Sequence, residues 1–313
     1  MNEPPEKAFS ESPREPSSIS ARAAGSPYVR VIGTAQDGGL PHAACACDRC
    51  DRARREPSFR RAVTSLAIVL PASERVFLVD VSPDVRRQLD GLMDVRNDPP
   101  DRVDREPVDG ALLTHAHIGH YLGLAFFGFE AVHARDLPVY CTPRMAGFLS
   151  GHGPWDQLVR MGNLSLQETA PGTSRELGDG VTVTPFAVPH RDEYSDTVAW
   201  KITGPNRSLL YMPDTEPWGR WSAPVEEILD QVDVALLDGT FYSADELPGR
   251  TVDSIGHPLI VDSMERFAGR ASPEILFTHL NHSNPALEPE SAAARRVAER
   301  GFAVAGEGQE FEL

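Results

Sequence analysis

Three histidines crowd into the stretch Thr114-His115-Ala116-His117-Ile118-Gly119-His120, directly after the apolar run Val108-Asp109-Gly110-Ala111-Leu112-Leu113. The apolar run reads as a buried strand, and residues 121–132 are apolar enough for a helix packed on it. The imidazoles then sit on a strand-to-helix turn, where side chains can converge on one point. Imidazole is the commonest protein ligand for zinc, iron and related metals. His115 and His117 share one side of an extended turn, and His120 follows at a spacing that lets it face a second, adjacent metal. Three of the chain's ten histidines fall within residues 115–120, which disfavours reading them as unrelated surface groups.

Other predicted strands stop at the same kinds of side chain. Residues 181–189 alternate as a strand that ends at His190. Residues 197–203 and 208–212 form a predicted hairpin around Gly204-Pro205-Asn206-Arg207, and its second strand runs on to Asp214. Strands over 232–237 and 274–278 end at Asp238 and His279. Earlier strands are predicted over 28–32, 64–70 and 76–81, with a helix from Ser82-Pro83 to about Leu92. Further helices are expected over 224–231, 258–267 and 289–300. Residues 34–59 read as a long irregular loop and 151–180 as weakly regular. Sites of layered α/β proteins form at such strand ends.

Cys45-Ala46-Cys47-Asp48-Arg49-Cys50 gives a CxCxxC cluster inside the long loop. Thiolates at that spacing favour a tetrahedral structural zinc. His282, three residues after His279, is the expected fourth ligand, with His42 next in line. Cys141 ends an apolar strand and reads as a core thiol. Clustered thiols of this kind fit a reduced cytoplasm better than a disulfide framework. Residues 1–27 are rich in Pro, Ser, Glu and Arg and are expected to be a disordered tail, leaving 28–313 as one folded domain. The formal net charge of −16 argues against a long nucleic acid as substrate. No apolar run is long enough to cross a bilayer. A small-molecule substrate is expected, with a homodimer left open.

This combination resembles the metallo-β-lactamase superfamily, over residues 28–313. The resemblance implies a four-layer αββα sandwich carrying a hydrolase site between its sheets. The superfamily motif is HxHxDH, followed by a distant His, an Asp and a final His. By that likeness His115, His117 and His190 hold metal 1, His120 and His279 hold metal 2, and Asp214 bridges them. Such a pair lowers the pKa of a bridging water and yields hydroxide near neutral pH. One position departs from the motif: its Asp is Gly119 here. Metal 2 is therefore expected to be weaker, differently coordinated or absent, with Asp37, Asp192 and Asp196 as the candidate substitutes.

Two relatives within the superfamily share more. Gly33-Thr34-Ala35, Asp37-Gly38-Gly39-Leu40-Pro41, the cysteine cluster, Ser82-Pro83-Asp84-Val85-Arg86, Asp238-Gly239-Thr240, Gly256-His257 and Asn284-Pro285 resemble the pyrroloquinoline-quinone biosynthesis protein B family, in the same order. The cysteine cluster and the active histidines also resemble the cyclic phosphodiesterase of phosphonate degradation, which assigns the final His to the active site and the one three residues on to the structural zinc. The quinone-biosynthesis family has largely lost the HxHxDH histidines, whereas this chain keeps them, as a hydrolase-competent branch would. Asp238-Gly239-Thr240-Phe241 with Gly256-His257-Pro258 resembles the proton-donor element of tRNA 3′-processing endonucleases. That likeness makes His257 the general acid and Asp238 the carboxylate that orients it. The implied function is a metal-dependent hydrolase of a small anionic, phosphodiester-like substrate, with one structural Zn2+ and one or two catalytic ions (Zn2+, with Fe or Mn as alternatives). The alternatives are an iron-dependent oxidation of a tyrosine-derived intermediate and a non-catalytic, metal-stabilised binding module.

Overall fold

The computed structural model describes residues 25–95, 106–247, 249 and 256–313. The predicted tail therefore lies almost wholly outside the described residues. Among the described residues, fourteen strands form two seven-stranded mixed sheets. The first is ordered β14-β1-β2-β3-β4-β5-β6, from β1 (Tyr28–Gly33), β2 (Ser65–Leu70), β3 (Arg75–Val79), β4 (Gly110–Leu112), β5 (Leu137–Cys141), β6 (Leu164–Glu168) and β14 (Glu310–Glu312). The second is ordered β13-β12-β11-β10-β9-β8-β7, from β7 (Arg175–Gly178), β8 (Val181–Val188), β9 (Thr197–Thr203), β10 (Ser208–Met212), β11 (Val234–Asp238), β12 (Glu274–Thr278) and β13 (Ala303–Val304).

The central strands are apolar without interruption because both of their faces are covered. Successive side chains alternate between two cores. Along β2, Leu66, Ile68 and Leu70 enter the core between the sheets, while Ala67 and Val69 enter the core under the helices. On β10, Leu209 and Tyr211 face the other sheet, whereas Leu210 and Met212 face outward. Helices Pro143–Gly151 and Trp155–Arg160 cover the outer face of the first sheet through Met145, Leu149 and Leu158. Helix Ile260–Arg266 covers the outer face of the second through Ile260 and Met264. The layers are thus helix, sheet, sheet, helix. No described helix is long and apolar enough to cross a membrane.

Each sheet has a run of parallel strands: β3 to β6 in one, β10 to β13 in the other. The carboxyl ends of β3, β4, β10, β11 and β12 supply the residues of the site below, as expected for such edges. Two bonds pin the histidine turn to the opposite sheet: Val198 N–H donates to the Thr114 carbonyl at 3.0 Å, and Trp200 Nε1–H to the Leu113 carbonyl at 3.0 Å.

Three local expectations are corrected. Residues 34–59 are not irregular throughout, because Asp48–Arg55 is a helix that carries Cys50. Only Cys50 and Ala53 of that helix are buried, so no apolar periodicity announces it. Residues 121–132 do not form one helix: a four-residue turn, Ile118–Tyr121, passes into a 3-10 segment, Leu122–Phe127. Gly123 is the cause, since its N–H leaves the helix ladder for the Val81 carbonyl at 2.9 Å. A side chain there would begin 2.1 Å from the Ser82 carbonyl oxygen, so the close approach requires glycine. Residues 151–180 hold helix Trp155–Arg160, β6 and β7. The two strands are sheet edges with one buried residue each, which weakens their apolar signal.

Candidate metal centre

Two sets of ligand-type atoms meet between the sheets. In the first, His115 Nε2 lies 2.9 Å from His117 Nδ1, and His190 Nε2 lies 3.3 Å from the same atom. Nitrogens bonded to one tetrahedral zinc are separated by about 3.3 Å, so these three fit one ion. In the second set, Asp214 Oδ2 is 3.0 Å from His120 Nε2 and 3.3 Å from His279 Nε2. All three of those atoms are buried without a hydrogen-bond partner. Buried polar atoms left unpaired are costly, and a cation is the group that would satisfy two imidazole lone pairs and a carboxylate together. The other oxygen of Asp214 turns to the first set, 3.7 Å from His190 Nε2. The donor sets therefore fit a pair of ions sharing Asp214.

Behind these ligands each sheet repeats one device. Asp80, at the end of β3 and fully buried, accepts from His120 Nδ1 at 2.6 Å and from the Thr114 hydroxyl at 3.0 Å. The Thr114 oxygen in turn lies 3.0 Å from His115 Nδ1. In the other sheet Asp238 contacts His257 Nδ1 at 2.8 Å and accepts from the Thr240 hydroxyl at 2.7 Å. The Thr240 oxygen lies 2.9 Å from His279 Nδ1. One carboxylate thus fixes one ring directly and a second through threonine. Such outer partners set ring orientation and leave the opposite nitrogen free as an acceptor. Asp80 and His279 both hold left-handed backbone, φ 63° and 60°, an unusual conformation that clusters at functional sites. His117, which faces the first set through Nδ1, has Nε2 3.1 Å from the Glu193 carboxylate.

Burial drives the protonation pattern. It holds His115 and His279 well below the ordinary histidine range, helped by the neighbouring His120. Burial would do the same to His120, but the facing charges of Asp80 and Asp214 outweigh it and raise that ring well above the ordinary value. At His257 burial is again outweighed, by Asp238 and then Asp214, and the pKa rises to about 9. Burial pushes the Asp214 carboxyl up, against the pull of His120.

The cysteine cluster forms a second, separate centre. Cys45, Cys47 and Cys50 place their sulfurs 3.7, 3.6 and 3.6 Å from His282 Nδ1. A zinc with Zn–S about 2.3 Å and Zn–N about 2.05 Å has sulfur–nitrogen edges of about 3.6 Å. The four expected ligands are together. His42 is not one of them: its ring centroid lies 4.5 Å from that of His282 with the two planes tilted by 43°, and its Nδ1 lies 3.1 Å from the Ala43 carbonyl. Cys141 is fully buried in the core.

Of the three substitutes expected for the missing Asp, two lie elsewhere. Asp192 pairs with Arg144 at 3.0 Å, and Asp196 accepts from the Thr142 hydroxyl. Asp37 lies beside the second set, Oδ1 3.7 Å from His120 Nε2. Sequence reasoning missed Asp80, Thr114, Thr240 and Glu193 as supports. Asp80 follows an apolar strand as the other site residues do, and that rule would have found it. Asp80→Ala is expected to weaken metal binding at the paired site by about 10–100-fold, the usual effect of losing a ligand's carboxylate partner. Zinc titration against a chelating buffer measures it, and an unchanged affinity would show that His120 needs no such support.

A family profile described as a β-lactamase superfamily domain matches residues 75–280, about two thirds of the sequence. The chain belongs to the β-lactamase superfamily. Its curated relatives include coenzyme PQQ synthesis protein B of Methylorubrum extorquens, 27% identical over 312 residues, covering 91% of this chain and 100% of that protein. The protein of the same description from Cupriavidus necator is 29% identical and covers 91% and 99%. Among solved structures, a zinc-bound PqqB from Methylobacterium extorquens superposes with TM-score 0.78 at 26% identity, over 91% of this chain and all of that one. A diphosphatase of the PhnP family matches at TM-score 0.65 and 19% identity, over 92% and 97%, and at that identity shows the shared fold alone. The sandwich expected of a superfamily member is the one found.

Proposed function

We propose that this protein is a metal-dependent hydrolase of a small anionic molecule of phosphodiester type. The observation that carries the reading is the His257–Asp238 pair set against the shared ligand: His257 Nδ1 lies 2.8 Å from Asp238 and 3.7 Å from Asp214 Oδ1. When bound, paired cations supply a hydroxide nucleophile near neutral pH and a positive field for developing oxyanion charge. Asp238 engages Nδ1 of His257, which leaves Nε2 as the atom that releases a proton to the departing oxygen. Water adds to the substrate, the ester bond breaks, and the leaving alkoxide departs as an alcohol carrying that proton. Arg191, whose guanidinium reaches within 3.4 Å of His117 Nε2 and pairs with Glu193 at 3.5 Å, would have to exchange that partner to meet an anionic substrate. The net charge of −16 favours a small substrate over a nucleic acid, and the clustered free thiols favour a reduced, cytoplasmic setting in this reading.

His257→Ala is expected to lower turnover of bis-nitrophenyl phosphate by about 10²–10⁴-fold, the usual contribution of a general acid, with the ion count unchanged. The donor is protonated below its pKa, so activity is present at neutral pH and falls as pH rises toward about 9; bound cations move that limb toward neutrality. The variant should lose this alkaline limb. Unchanged turnover would remove the assigned role.

The full-length similarity to coenzyme PQQ synthesis protein B favours a second reading, in which the same ligands hold iron for an oxidation. Anaerobically purified protein that carries iron and consumes oxygen would support it. Zinc with diester hydrolysis supports the first.

A further inference from the structure

We propose that Asp37 supplies, from a different loop, the carboxylate that position 119 lacks, so that the second ligand set is Asp37, His120, Asp214 and His279. The inference rests on the metal-dependent reading above but not on which reaction the ions serve. Its first support is steric. A Cβ added at Gly119 would lie 2.1 Å from Asp37 Oδ1 and 3.1 Å from its Cα and Cγ. Asp37 therefore fills the space in which a side chain at 119 would start. Glycine at 119 is what makes room for it, and the departure from HxHxDH is a change in the origin of the carboxylate, not its loss.

The second support is aim. Gly119 N–H donates to Asp37 Oδ1 at 3.1 Å, and that oxygen sits 3.7 Å from His120 Nε2. Ligand atoms of Asp37, His120 and His279 all lie within 4.8 Å of one another. His120 Nε2, His279 Nε2 and Asp214 Oδ2 are the buried, unpartnered atoms on the other side of that space.

The third support is how the Asp37 loop is anchored. Ala35 bridges Leu280, the residue after His279, and Gln36 N–H donates to the Leu280 carbonyl at 3.0 Å. Asn281 Nδ2–H donates to Gln36 Oε1 at 2.8 Å, and Gly39 N–H closes a turn onto the Gln36 carbonyl at 2.7 Å. The segments that carry Asp37 and His279 are thus tied side by side by their own backbones. A ligand brought from a loop needs such fixing to hold its geometry.

The test is the zinc count per chain after equilibration with zinc in a chelating buffer, read by elemental analysis. The wild-type protein is expected to hold three ions: one at the cysteines, two at the paired site. Asp37→Asn keeps the shape and the oxygen that accepts from Gly119 but removes the charge. It should hold two ions, with the last site weakened at least about 10–100-fold. The double variant Asp37→Ala/Gly119→Asp returns a carboxylate to the motif position and should recover the third ion. Full occupancy in Asp37→Asn at unchanged affinity, or a folded double variant that stays one ion short, overturns the proposal. A wild-type protein holding only the cysteine ion would overturn the metal-dependent reading itself, so the two failures are told apart.

Discussion

His190→Ala is expected to cut diester turnover by at least about 10³-fold, equivalent to about 4 kcal/mol of barrier, while the protein stays folded. The side chain follows β8 and joins His115 and His117, whose nitrogens lie at tetrahedral separations. A three-ligand catalytic ion cannot lose one imidazole and keep its affinity and geometry together. The fold should survive because His190 belongs to none of the hydrophobic cores and makes no backbone ladder bond that alanine could not. His117→Ala should behave alike. Steady-state kinetics with circular dichroism check both variants. Activity retained within a few-fold by either would place the reaction elsewhere.

The second large effect concerns stability. Cys47→Ser should release one zinc per chain and lower the melting temperature by on the order of 10 °C, the shift that losing about 4 kcal/mol brings at this chain size. Cys47 is the most informative of the three cysteines because its side chain is exposed, so serine removes a ligand without disturbing packing. Cys50, by contrast, is buried in a small cluster with Ala35, Leu40 and Leu280. An ion at the cysteines would join helix Asp48–Arg55 to His282, three residues after His279 of the paired site. Its loss should also loosen the Asp37 loop and the His279 segment, weakening the last zinc of the paired site about tenfold. Elemental analysis and a thermal melt read both effects. An unshifted melting temperature with the zinc retained would rule out a structural ion at the thiolates.

The parts of this architecture that announce themselves do so for one physical reason. Strands sandwiched between two cores must be apolar along their whole length, so 66–70, 209–212 and 234–237 stand out, and a polar side chain that ends such a run is conspicuous. His115, His190, Asp214 and His279 were legible in this way, and the cysteines by spacing. What the sequence hides is proximity without pattern. Asp37 reaches His120 across 83 positions, and nothing in either stretch says so. Gly119 reads as a lost ligand until the carboxylate that occupies its side-chain space is seen. The helix expected after His120 fails because Gly123 gives its N–H to Val81, a tertiary bond with no local signature. Thr114 and Thr240 hide as ordinary threonines because their role lies in linking a carboxylate to a ring.

The mirrored Asp–Thr–His arrangement has a consequence for how the centre fills. Asp80 with Thr114 and Asp238 with Thr240 already engage Nδ1 of His115, His120, His279 and His257. None of these four rings has to flip when a cation arrives, and their rotamer freedom is surrendered during folding. Uptake should then be limited by diffusion of the ion into the cleft, and structures with and without it should superimpose.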